Sequence, residues 1–141
     1  MSLAEAYWVS LPRSVDTRGI LTAIEGGRDI PFEIRRIFYL HGTPDGVERG
    51  GHAHRDTRQI LIAVAGQLSV DLSDGTETRT FRLTDPNQGL FVPAMTWVRL
   101  YGFSRGAVCL VLADTHYDRA RSLRSWGEFR QAVEKLAGQS S

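Results

Sequence analysis

Short apolar or alternating runs recur through most of this 141-residue chain, at 20–25, 34–40, 59–65, 67–72, 78–83, 89–92, 97–103 and 107–113, each set off by turn-forming residues. Runs that short, at that spacing, leave no room for a helical bundle and predict a sheet-rich sandwich or barrel. Asp74-Gly75 separates 68–72 from 80–83, both alternating with period two, which is the pattern of a hairpin. Gly26-Gly27, Pro44-Asp45-Gly46 and Asp85-Pro86-Asn87 mark further turns. Only the C-terminus changes period: Trp126, Phe129, Val133 and Leu136 recur at helical spacing behind Ser125-Trp126-Gly127-Glu128, whose Ser and Glu match a capping box. The expectation is an all-β domain over 1–141, with its core at about 7–137, one C-terminal α-helix packed on the sheets, and a frayed tail at 138–141.

The charge balance is nearly even, with 17 basic and 16 acidic side chains, so a dedicated nucleic-acid binder is not expected. Sixteen of the 17 basic residues are Arg, and Lys135 is the lone Lys. Arg presents the planar fork that suits phosphate and carboxylate, so position rather than number has to decide which arginines matter. Cys109 stands alone in the apolar run 107–112, which rules out an intramolecular disulfide and a Cys-based zinc site and leaves a small buried hydrophobe. No apolar stretch reaches transmembrane length and the first twenty residues lack the pattern of a leader, so a cytoplasmic protein without membrane attachment is expected.

The most informative segment is Gly46 to Gly66, where Gly46 stands before His52-Ala53-His54, Gln59 follows, and Gly66 closes the run. These spacings resemble the first cupin motif, which implies a jelly-roll β-barrel. Alternation on a strand puts both imidazoles on one face, pointing into one cavity, and the next strand returns Gln59 to it. Gln59 stands where metal-binding cupins carry Glu, and Val98 stands at the position of the second motif's His after Pro93. Two imidazoles and a neutral amide leave a divalent site short of ligands, so no metal is expected. Paired histidines in a cavity suit proton transfer near neutral pH instead. His41 and His116 lack such company and read as satisfied structural histidines.

The ordered series Asp16-Thr17-Arg18-Gly19-Ile20-Leu21, the run from Ile30 to Tyr39, Arg49-Gly50-Gly51-His52-Ala53-His54, Gln59, Asp85-Pro86-Asn87, Gly89-Leu90, Pro93, Thr96-Trp97 and Ser125 to Phe129 is similar to the nucleotide-sugar 3,4-ketoisomerases of the cupin superfamily. That resemblance implies a metal-independent, cofactor-free conversion of dTDP-4-keto-6-deoxyglucose to its 3-keto isomer, in deoxyamino-sugar biosynthesis for surface polysaccharides. It also implies a homodimer, commonly with exchanged N-terminal strands.

Moving a ketone to the neighbouring carbon needs a base to take the C3 proton, an enediol, and proton return to C4, and a near-neutral imidazole suits that task. His54 or His52 is therefore the expected proton shuttle. Tyr39 assists by donating to the enediolate, on a face shared with Arg35 and Ile37 and opposite Phe32, Ile34, Phe38 and Leu40. Arg49, beside the His pair, is the first choice for the diphosphate, followed on the resemblance by Arg18 and Arg35, with Gln59 completing the substrate contacts. Arg82, Arg105, Arg119, Arg121, Arg124 and Arg130 are expected on solvated faces. Alternation sends Arg99 to the face opposite Val98 unless a bulge intervenes. Competing readings are a sugar-nucleotide epimerase, a non-catalytic nucleotide-sugar-binding cupin and a metal-dependent oxygenase.

Overall fold

The computed structural model describes residues 5–139. Two five-stranded antiparallel sheets face each other. The first runs in the order β1 (Tyr7–Ser10), β9 (Gln88–Val92), β6 (Gln59–Ala65), β11 (Val108–Ala113), β4 (Arg36–His41). The second runs β12 (Ser122–Leu123), β5 (Arg49–His54), β10 (Trp97–Tyr101), β7 (Leu68–Ser73), β8 (Thr78–Leu83). A separate hairpin pairs β2 (Arg13–Asp16) with β3 (Gly19–Thr22), and the helix α1 spans Trp126–Gln139. The jelly roll implied by the cupin resemblance is present in its sandwich form, with the sheets stacked rather than closed into one hydrogen-bonded barrel.

The packing explains the patterns. β7 alternates because Leu68, Val70 and Leu72 point inward, meeting Leu61, Ala63, Cys109 and Val111 from the facing sheet. β6 is apolar on both faces because it is buried twice: Ile60 and Ile62 lie under a second layer built by Ile30 and Phe32 on the outer side of the first sheet. Cys109 has no exposed surface, and burial pushes its thiol up to about 12, as suits a small core hydrophobe.

Two expectations about the ends change. The run expected at 20–25 pairs only over Gly19–Thr22, and β1, β2 and β12 form where the sequence shows no alternating run. β1 and β2 are edge strands with mostly exposed side chains, and β12 is two residues long, so none of them is long and buried enough to show a pattern. In α1, Ser125 Oγ accepts from the Glu128 amide at 3.1 Å, as the capping signal requires. Only the middle of the apolar stripe is covered: Phe129 is fully buried against Ala53, Met95 and Leu123, while Trp126 and Leu136 remain exposed. Phe129 thus braces α1 against the back of β5, a contact of about 3 kcal/mol by apolar burial.

Candidate active site

β5 carries the two histidines into the sandwich. Its pairing with β10 shifts register between Val98 and Arg99: Val98 faces His52, while Arg99 already faces Gly50, so Gly51 is the extra residue of a bulge. Gly50 and Gly51 have φ of +86° and +75°, a region glycine enters freely. A side chain on Gly50 would also meet the Val98 carbonyl oxygen at 2.6 Å. Beyond the bulge, His52 and His54 share one face, with ring centroids 4.9 Å apart. β10 keeps its alternation against β7, so Val98 turns inward, while Arg99 turns outward to Asp71 at 2.8 Å and to Glu48.

The histidines open into a cavity of about 340 Å³ between the two sheets. Its floor is carbon, with Phe38, Leu40, Leu61, Val98, Leu100 and Val111 continuous with the core. Gln59 is buried in its wall as a neutral amide. Four further polar groups, Arg36, Arg49, Arg124 and Tyr117, complete the lining with Ser122. An adjoining cleft of about 450 Å³ shares Arg36, His54, Tyr117 and Ser122 with the cavity and adds Thr57, Thr115 and His116.

Both imidazoles are held neutral. Burial lowers the His52 pKa, opposed by a hydrogen bond from its ring to the Gly50 backbone and reinforced by the nearby charge of Arg124. Burial, then the charges of His52, Arg36 and Arg124, push His54 down to about 4. The bond to Gly50 fixes a tautomer in which the second His52 nitrogen carries a lone pair. His54 has only a long 3.4 Å contact between Nδ1 and Ser122 Oγ. Among the described residues no carboxylate is ion-paired with Arg36, Arg49 or Arg124, whereas Arg58, Arg99 and Arg121 are each paired to an acid. The cavity therefore holds two neutral bases over an apolar floor, with uncompensated positive charge around them.

Residues 4–134 match the family model FdtA: WxcM-like, C-terminal. The chain belongs to this family of sugar-nucleotide 3,4-ketoisomerases. A curated relative, the TDP-4-oxo-6-deoxy-alpha-D-glucose-3,4-oxoisomerase of Aneurinibacillus thermoaerophilus, is 34% identical over 128 residues, covering 91% of this chain and 92% of the relative. The crystal structure of a 3,4-ketoisomerase from Helicobacter canadensis aligns with a TM-score of 0.90 at 36% identity, over 92% of this chain and 98% of the other. A histidine-to-asparagine variant of a 3,4-ketoisomerase from Thermoanaerobacterium thermosaccharolyticum, in complex with TDP-4-keto-6-deoxyglucose, aligns with a TM-score of 0.91 at 31% identity, over 94% and 96% of the two chains.

In this member of the FdtA family the cavity gathers His52, His54, Arg49 and Gln59 from among the residues singled out in the sequence. It leaves out three others. Tyr39 projects from the opposite face of β4, is 59% exposed and packs against His41. Arg35 lies on that same outer phase and is exposed. Arg18 sits in the turn of the β2–β3 hairpin, paired with Asp16 at 2.7 Å. The physical reason for the first two is the apolar floor: the phase of β4 that faces the cavity is Arg36, Phe38 and Leu40, one residue out of step with the chemically attractive Tyr39.

Arg124, expected on a solvated face, lines the cavity instead. The signal lies in β12, where Ser122 pairs with His54 and Leu123 with Ala53, so alternation returns Arg124 to the side of the histidines. Tyr117 was not singled out by any local pattern, since it lies on an irregular segment after β11. A divalent metal does not fit this donor set: Gln59 supplies no charge, Val98 no donor, and no group of three His, Cys, Asp or Glu converges among the described residues.

Proposed function

We propose that the protein is a 3,4-ketoisomerase that moves the ketone of TDP-4-keto-6-deoxyglucose from C4 to C3 by imidazole-mediated proton transfer. The observation that carries this reading is the pair of neutral histidines facing an apolar cavity whose mouth bears unpaired arginines. His52 takes the C3 proton, because its bond to Gly50 presents a lone pair of fixed orientation. An enediol forms, and the imidazolium returns the proton to C4, so no oxidant or reductant is needed. His54 stands beside it as the second imidazole through which the proton is relayed. Arg49 and Arg124, both exposed at the mouth, bind the diphosphate with charge-assisted hydrogen bonds. Gln59 contacts the sugar from the wall. The relative solved with the keto-sugar supports the same substrate class here. The functional unit is a homodimer.

The test is incubation of the purified protein with TDP-4-keto-6-deoxyglucose and NMR of the product. The expected result is the 3-keto isomer, carrying at C4 the hydrogen taken from C3, with deuterium there in D2O to the extent that the imidazolium exchanges its proton before returning it. Replacing His52 by Asn is expected to abolish turnover while TDP still binds. Deuterium entering C3 and C5 with the ketone still at C4 would show an epimerase, and TDP binding without any product would show a non-catalytic binder.

A further inference from the structure

We infer that Arg36 is the electrophilic catalytic residue, the guanidinium that holds the oxyanion formed at the substrate carbonyl when the neighbouring carbon loses its proton; this rests on the isomerase reading above. Three arginines reach the cavity, and their placement separates them. Arg49 and Arg124 are exposed and lie on or beside β5 and β12, the wall that carries the histidines. Arg36 is half-buried and rises from β4, in the facing sheet. A sugar seated between the sheets is met by the bases from one wall and by Arg36 from the other.

The environment of Arg36 is that of a cation prepared for an anion it does not yet have. Its Nε is buried and has no hydrogen-bond partner among the described residues. Its guanidinium stands 5.3 Å from the Phe38 ring centre and 5.5 Å from that of Tyr117, which shield it without neutralising it. Among the described residues it has no ion pair. A buried, unpartnered donor is costly to keep unless a ligand satisfies it. Arg36 also lines both the cavity and the adjoining cleft, and its charge is one of those that keep His54 unprotonated. A fixed cation in a low-dielectric wall stabilises developing charge without reorganising at the moment of reaction.

The step balances with this chain's own groups. The C3–H bond breaks and its proton goes to the imidazole. The electron pair forms the C3–C4 double bond, and the C4 carbonyl pair moves onto O4, which Arg36 holds. The O3 proton passes to O4, the O3 lone pair forms the new carbonyl at C3, and the imidazolium proton completes C4–H. Arg36 donates hydrogen bonds throughout and keeps its protons, as its high basicity requires.

Arg36→Ala, Arg36→Met and Arg36→Lys are compared with the wild type at saturating TDP-4-keto-6-deoxyglucose, with TDP affinity measured by calorimetry. The expected result is a fall in kcat of about 10²- to 10³-fold for Ala and Met, the loss typical of one oxyanion donor. The TDP dissociation constant stays within about threefold, and methylguanidinium partly restores the Ala variant while ammonium does not. The Lys variant guards against misfolding, since it keeps the charge and is expected to fold with reduced kcat. A kcat within threefold of wild type with TDP affinity lost would assign Arg36 to the diphosphate and overturn the inference, as would a loss that methylguanidinium leaves untouched in a variant of wild-type melting temperature. A wild type that itself forms no 3-keto product would instead overturn the isomerase reading.

Discussion

The chemistry of the cavity rests on keeping His52 and His54 uncharged at neutral pH, and that choice has a thermodynamic cost. The His54 value of about 4 lies below the ordinary 6.5 because burial first, and then repulsion from His52, Arg36 and Arg124, disfavour its charged form. Between those values the unfolded chain binds more protons than the folded one, so this residue's contribution to stability falls as pH drops from about 6.5 and levels off below about 4. Thermal melts of wild type and His54→Asn at pH 7 and pH 5 isolate the effect. The wild-type advantage is expected to shrink by on the order of 1 kcal/mol at pH 5, with allowance for partial solvent screening. An unchanged difference would mean that His54 titrates in the folded protein as it does in the unfolded chain. At this scale the sequence is most eloquent where spacing fixes direction: His52 and His54 are two apart, so alternation places them together, whereas Arg49, three before His52, reaches the same cavity only through the bulge at Gly51. It is least reliable where a single-residue phase decides, as at Arg35 against Arg36 and Phe38 against Tyr39. Both phases of β4 carry an Arg and an aromatic ring, and only the facing apolar layer selects between them.

Among the elements, β5 depends most on exceptional backbone. The bulge at Gly51 sets the phase of everything after it, and Gly50 passes so close to the Val98 carbonyl that no side chain fits. Gly50→Ala is expected to cost more than about 1 kcal/mol in denaturant unfolding and to lower kcat at least tenfold, because relief of the clash turns Arg49 and His52 away together. A Gly50→Ala protein of wild-type stability and turnover would show that the bulge plays no part in placing the histidines. Glu48, just before β5, is tied to Arg99 on the outer face, and Arg99 to Asp71, so the segment entering the bulge is pinned to β10 and β7. The longer strands were legible in the sequence, as 59–65 and 78–83 coincide with the central β6 and with β8, an edge strand that still buries Phe81 and Leu83. The edges β1 and β12 were not, because strands of four and two residues are too short to show a period. That loss is functional, since β12 is what brings Ser122 and Arg124 to the cavity.

For the molecule as a whole, a net charge of +1 conceals a separation of roles among the arginines. Several, including Arg58, Arg99 and Arg121, are spent on carboxylates that tie loops and strands together, while the cavity's three have no acid partner among the described residues. The β2–β3 hairpin poses the remaining question of assembly. It forms a sheet of its own, and Val15, Ile20 and Leu21 on it are each at least 60% exposed. A two-stranded ribbon with three bare aliphatic side chains is marginal in water unless another surface covers it. Ile37 and Tyr39, also exposed on the outer phase of β4, add apolar surface of the same kind. In the homodimer proposed for the functional unit, the partner chain would supply that cover. Arg18, in the hairpin turn and away from its own chain's cavity, then contributes to substrate binding only if the hairpin reaches the partner's cavity. Light scattering on the purified protein is expected to give twice the 15.7 kDa chain mass. Replacing Ile20 and Leu21 together by Glu is expected to shift it to the monomer and to weaken TDP binding, with Arg18→Ala weakening binding but leaving the dimer intact. A wild type that stays monomeric at micromolar concentration while turning over would overturn the dimer, and dissociation without loss of TDP affinity would confine Arg18 to the pairing with Asp16 seen here.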